Sequence, residues 1–153
     1  MQLSKNLTLA EMTRSESAKR AGISNAPTKQ HIENMKLLAT NVFQPVRDYF
    51  KRPIHLSSGY RSSELNASIK GASKKSQHSL GEAIDIDMDG TEITNAQVFN
   101  YIKDNINFDQ LIWEFGTDKN PSWVHVSFKS NGKQRKQILK AIKKNGKTTY
   151  SIY

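Results

Sequence analysis

The sequence predicts an α+β domain in which N-terminal helices pack on a small, mostly antiparallel sheet. Apolar residues recur at steps of three and four early in the chain and alternate at a period of two in later segments. No repeat, low-complexity tract or long linker interrupts the 153 residues. A chain of that length suits one compact core, so a single domain over 1–153 with a basic C-terminal segment from about residue 129 is expected.

Each element has a local reason. Thr8 with Glu11 three places later has capping-box spacing, which predicts a helix over 8–20 before Gly22. Over 28–50, the residues Ile32, Met35, Leu38, Val42, Phe43, Val46 and Phe50 fall on one face of a long helix that Pro45 should kink. That stripe reads as core. Extended segments are expected at 54–57, 83–88, 108–114 and 123–128, with a helix over 94–105.

Composition excludes several chemistries. Without cysteine there is no disulfide, thiolate metal site or cysteine nucleophile, so any metal must be held by His, Asp or Glu. No apolar core of a secretory signal follows the first lysine and no window approaches the roughly 18 apolar residues of a membrane span, which predicts a soluble protein without membrane insertion. Of the net charge of +9, residues 126–153 contribute eight Lys/Arg and no acid. That segment could attract anionic polymers, or be a solvated basic terminus. Its sparse aromatics, Phe128, Tyr150 and Tyr153, argue against a nucleic-acid stacking platform.

The stretch SQHSLGEAIDIDMDG (76–90) carries one histidine and three alternating aspartates. Asp85, Asp87, Asp89 and Gly90 fit the start of an EF-hand loop, but Ala96 stands where the bidentate Glu belongs. Ile84, Ile86 and Met88 alternate as in a strand, which also argues against calcium. A catalytic zinc site needs three ligands and an open position. His78 and Asp85 could supply two, and His125, in the alternating segment SWVHVSF, points away from the more apolar face and could supply a third. His31 and His55 lack acidic or histidine partners at a suggestive spacing and are left out.

SSGYRSSELN (57–66), SQHSLGEAIDID (76–87) and SWVHVSF (122–128) resemble, in order, the signature blocks of the M15 zinc peptidases. These are D-alanyl-D-alanine carboxypeptidases and peptidoglycan endopeptidases that share a fold with the hedgehog signalling domain. The flanks TRSESAKRAGISNAP and FDQLIWEF are similar to the phage and prophage branch. The resemblance implies one zinc ion bound by His78, Asp85 and His125, with Arg61 facing a substrate carboxylate. A guanidinium fork suits that anion, the alternative being a surface ion pair with Glu64. Ser76 and Gln77 could bind substrate, orient His78 or simply form the turn.

The sequence departs from part of that family at Ser122, where an acid stands three residues before the last histidine. Serine cannot accept a proton at neutral pH as a carboxylate does. Glu114 is the best substitute, through a hairpin joining 111–115 to 123–128, with Asp118 as runner-up and a solvent-facing Glu114 as the bland alternative. The reading is a monomeric, zinc-dependent peptidoglycan peptidase from a phage or prophage, acting after release from the host cytoplasm or from the virion. The rival, motivated by Ser122, is a noncatalytic zinc-containing module that binds cell wall or a virion protein.

Overall fold

The computed structural model describes residues 1–69, 72 and 75–153. The chain opens with a short antiparallel hairpin, β1 (Gln2–Ser4) and β2 (Leu7–Thr8), which buries Leu3 and Leu7. Thr8 and Glu11 form the expected capping box on α1 (Leu9–Thr13). The helix expected over 8–20 is two helices. Arg14 is extended and the Ser15 hydroxyl accepts the Ala18 N–H, capping α2 (Glu16–Ala21), which Gly22 ends in the left-handed region. A serine that can cap locally competes with continuation of the helix.

The apolar stripe over 28–50 forms α3 (Lys29–Leu38), a π-helical turn (Ala39–Phe43) and α4 (Gln44–Phe50). Pro45, in the first turn of α4, cannot bond back to the preceding turn. The disturbance expected at Pro45 is taken up just before it, where the Gln44 N–H reaches the Ala39 carbonyl in a widened turn.

The main sheet contains β3 (Leu56–Ser58), β4 (Ala83–Ile86), β5 (Gln110–Glu114), β6 (Trp123–Ser127), β7 (Gln137–Lys144) and β8 (Lys147–Ile152). Their order is β3-β4-β6-β5-β7-β8, antiparallel throughout except for the parallel pair β5 and β7. Two further helices, α5 (Ser63–Ser68) and α6 (Asn95–Asn105), lie between strands in the chain. The strand expected over 83–88 ends at Ile86, because Asn95 at the start of α6 takes the Met88 N–H on its side-chain oxygen and donates to the Asp87 carboxylate. The basic C-terminal segment, for which no strand was expected, supplies β7 and β8.

Register assigns the faces. Ile84, Val126 and Leu111 are partners across β4, β6 and β5, as are Ile86, Val124 and Trp113. All six are buried and join one core with Val42, Phe43 and Val46 of the long helical segment and Val98, Phe99 and Ile102 of α6. Each such side chain contributes roughly 1.5–3 kcal/mol by leaving water. Alternation then sends Asp85, His125, Trp123 and Glu114 to the opposite face, away from the helices.

Candidate metal centre

A short turn places His78. Ser76 Oγ accepts the His78 N–H at 3.2 Å and starts a 3₁₀ turn (Gln77–Leu80) that Gly81 ends at φ 75°. A Cβ at Gly81 would lie 2.5 Å from the His31 carbonyl oxygen, so a side chain there would push the turn off α3. The buried His78 ring places Nδ1 2.8 Å from the Gly59 carbonyl oxygen, which can only accept a hydrogen. In the neutral ring the proton therefore sits on Nδ1 and the lone pair on Nε2. That Nε2 is buried and makes no hydrogen bond, although Asp85 Oδ1 stands 3.3 Å away.

Asp85 and His125 are direct partners across β4 and β6. His125 Nδ1 lies 3.0 Å from Asp85 Oδ1, and the rings of His78 and His125 are 5.2 Å apart. Taking one ligand atom from each of His78, Asp85 and His125, all lie within 4.8 Å of one another. Burial alone would push the Asp85 carboxyl up, but the two imidazoles beside it hold it well below the usual carboxylate range. A buried lone pair without a donor is costly, and two imidazoles with one carboxylate form a donor set suited to zinc. The residues present therefore fit a bound cation.

Glu114 sits on the same face. It pairs with Trp123 one step beyond the Ile112–His125 pair in the alternation. Only 8% exposed, its carboxyl is pushed by burial up to about 7, with His125 pulling down and Asp85 adding to the rise. A carboxylate of that pKa can take and return a proton near neutrality. Asp118 is different: it is fully exposed in the turn and bonded to Lys140, which holds its carboxyl below the usual range.

Arg61 lies on the other side, after β3, with its backbone N–H donating to the His78 carbonyl at 3.2 Å. Its Nε is buried without a hydrogen-bond partner, and among the described residues no ion pair joins it to Glu64. Burial works to lower its pKa while Asp85 works to raise it, and a guanidinium keeps its charge at neutral pH in either case. Asn25 secures this loop by accepting the Ser62 N–H and donating to the carbonyls of Thr13 and Tyr60.

Ser76 and Gln77 face inward partners. Ser76 caps the turn, and the Gln77 amide donates to Asp109 Oδ2 at 3.2 Å and Glu82 Oε2 at 3.4 Å. Fully buried Asp109 also receives the Arg135 backbone and guanidinium, while Glu82 receives the Ser130 N–H and hydroxyl. This network ties the His78 turn to the chain entering β7. Reasoning from sequence missed Gly59, Glu82, Asp109 and Arg135. Asp109 alone carried a signal, an acid next to an apolar run that must find a partner once buried. His31 contacts the Tyr60 hydroxyl through Nδ1 at 3.1 Å and lies outside the cluster, as does His55.

Over 51 residues the chain is 41% identical to Peptidoglycan L,D-endopeptidase MepK of Escherichia coli (strain K12), covering 31% of this chain and 28% of that protein. The protein of the same name from Shigella flexneri matches with the same identity and the same coverage. The chain thus spans less than a third of the length of these curated relatives. A far longer stretch, residues 5–127, matches the Peptidase M15 family and takes in His78, Asp85, His125, Arg61 and Glu114. The chain belongs to the Peptidase M15 family.

Proposed function

We propose that this protein is a zinc-dependent peptidase that hydrolyses an amide bond in stem or cross-bridge peptides of bacterial peptidoglycan, as a phage or prophage cell-wall lytic enzyme. One observation carries the reading: the unpartnered Nε2 of His78 converges with Asp85 and His125 beside a carboxyl whose pKa lies near neutrality. Family membership supports a peptidase, and the likeness to peptidoglycan L,D-endopeptidases supports peptidoglycan as the substrate.

His78 through Nε2, Asp85 through a carboxylate oxygen and His125 through Nδ1 would hold one ion per chain. When bound, zinc supplies Lewis acidity that lowers the pKa of water and polarises a carbonyl. Glu114 takes the proton from the attacking water and delivers it to the amine nitrogen as the C–N bond breaks and the C–O bond forms. Arg61, with an unmet Nε–H, holds a substrate carboxylate. Ser76 and Gln77 keep the His78 turn in place. The exposed hairpin tip bearing Lys143, Lys144 and Lys147 is the part suited to anionic envelope polymers. Among the described residues no helix is long and apolar enough to cross a membrane.

The test is digestion of purified peptidoglycan by the zinc-loaded protein, with muropeptides read by mass spectrometry. New peptide termini that disappear on chelation are expected. Their absence from a fully zinc-loaded sample would transfer the reading to the noncatalytic, wall-binding module that Ser122 suggests.

A further inference from the structure

The last strand lies beyond the residues that match the family, yet the sheet register aligns one of its residues with Glu114 of the candidate site. Trp123, Glu114, Ala141 and Tyr150 are successive register partners across β6, β5, β7 and β8. Their side chains therefore emerge on the face that carries Asp85 and His125. Only β7 separates β8 from β5, which puts the backbones of Tyr150 and Glu114 about 10 Å apart. Between them stands Ala141, fully buried and too small to hold a phenol away from Glu114.

Tyr150 is 57% exposed, so core packing does not account for an aromatic residue there. The fit to the site is also electrostatic. Burial, then the carboxylates of Glu114 and Asp85, push its phenol up, so at neutral pH it keeps its hydrogen and acts as a donor. Arg61 follows β3 at one edge of the sheet and Tyr150 lies on β8 at the other, with Asp85, His125 and Glu114 on the strands between. Across the sheet the order is thus Arg61 after the edge strand, the His78–Asp85–His125 cluster, Glu114 and Tyr150.

We propose that Tyr150 is a further catalytic residue, whose phenol donates a hydrogen bond to the scissile carbonyl oxygen as that oxygen gains negative charge. The proton stays on the phenol throughout. This inference rests on the peptidase reading above and adds a residue outside the family match.

The experiment compares wild type, Tyr150→Phe and Ile152→Ala, each as the full zinc-loaded chain. Losing one donor aimed at developing charge lowers kcat by roughly 100-fold, with KM changed by about twofold or less. Zinc content and melting temperature of Tyr150→Phe stay at wild-type values, because an exposed ring is kept. Inorganic phosphate, titrated calorimetrically, gives a readout that does not need turnover. A lost hydrogen bond to an anion weakens its binding by about tenfold. Ile152→Ala, on the same face and 88% exposed, leaves both readouts unchanged. Wild-type kcat and phosphate affinity in Tyr150→Phe overturn the proposal, and so do equal losses in Ile152→Ala. If wild type releases no muropeptides, the peptidase reading falls on its own. The phosphate arm then decides Tyr150: a tenfold loss keeps the phenol as a donor at the cluster, and equal affinity removes it.

Discussion

Glu114→Gln separates charge from shape at the one position where burial and chemistry conflict. In the metal-free protein the Glu114 carboxyl rises from 4.5 to about 7 on folding, chiefly because it is buried. A shift of that size corresponds to about 3 kcal/mol against the charged form, and residual solvent access reduces the expected effect to about 1–3 kcal/mol. Because the folded-state pKa is the higher one, the folded chain binds the extra proton between pH 4.5 and about 7. Wild-type stability from this group is intact below pH 4.5 and is lost as pH rises through 7. Glutamine keeps the shape and carries no charge, so Glu114→Gln should be more stable than wild type at pH 8 and equal to it at pH 4.5. Urea unfolding of the metal-free proteins at both pH values gives the difference directly. The zinc-loaded variant should keep its metal and lose turnover by about 10²–10⁴. A stability difference that does not change with pH, or retained turnover, refutes the account, and retained turnover moves the proton to another acceptor.

The other tests probe separate parts of the molecule. Elemental analysis of wild type should find about one zinc per chain, and His78→Ala, Asp85→Ala and His125→Ala should each lose most of it. Arg61→Lys keeps the charge but loses the planar fork, so KM for a carboxylate-bearing muropeptide should rise by about tenfold in steady-state assays while zinc content holds. Phe99→Ala removes a fully buried ring packed edge-on against Trp113 at 5.1 Å, and should cost about 3–5 kcal/mol in denaturant unfolding. Gly116→Ala forces a side chain into φ 72°, where the added carbon also meets the Asn120 and Pro121 backbone. A melting-temperature drop of at least about 4 °C is expected.

Much of the fold was legible because two periodicities are visible in one dimension. The stripe from Ile32 to Phe50 and the alternation through Ile84, Ile86, Val124 and Val126 each reported a buried face, and both belong to the core. The candidate ligands were legible because side-chain type and spacing both carried signal. The parallel pairing of β7 with β5 was not, since it joins segments that are distant in the chain, and the lysines on β7 mask its alternation. Orientation of the His78 ring was also hidden, because its partner is the backbone carbonyl of Gly59 and a carbonyl has no letter in the sequence. The split of the first helix at Ser15 was readable in principle, as a second capping residue inside an otherwise helical segment.

The sheet register explains how a chain with serine at position 122 can still present a carboxylate. The Ser122 N–H bonds to the Glu114 carbonyl at 2.9 Å, so the two positions are neighbours across the hairpin. An acid supplied from β5 instead of from the residues just before β6 therefore enters the same end of the site. The arrangement depends on parity. Since side chains alternate, Glu114 shares a face with His125 only because Ile112 is the direct partner of His125. A slip of one residue between β5 and β6 would bury the carboxylate among Phe99 and the other core side chains and bring Trp113 to the face of the candidate site. The turn from Phe115 to Ser122 prevents that slip, with Phe115 and Gly116 both at positive φ and the Thr117 N–H closing on the Asn120 carbonyl at 2.9 Å. Two sets of contacts thus define the candidate site: β4 against β6 brings Asp85 to His125, and the β5–β6 turn sets where Glu114 stands relative to them.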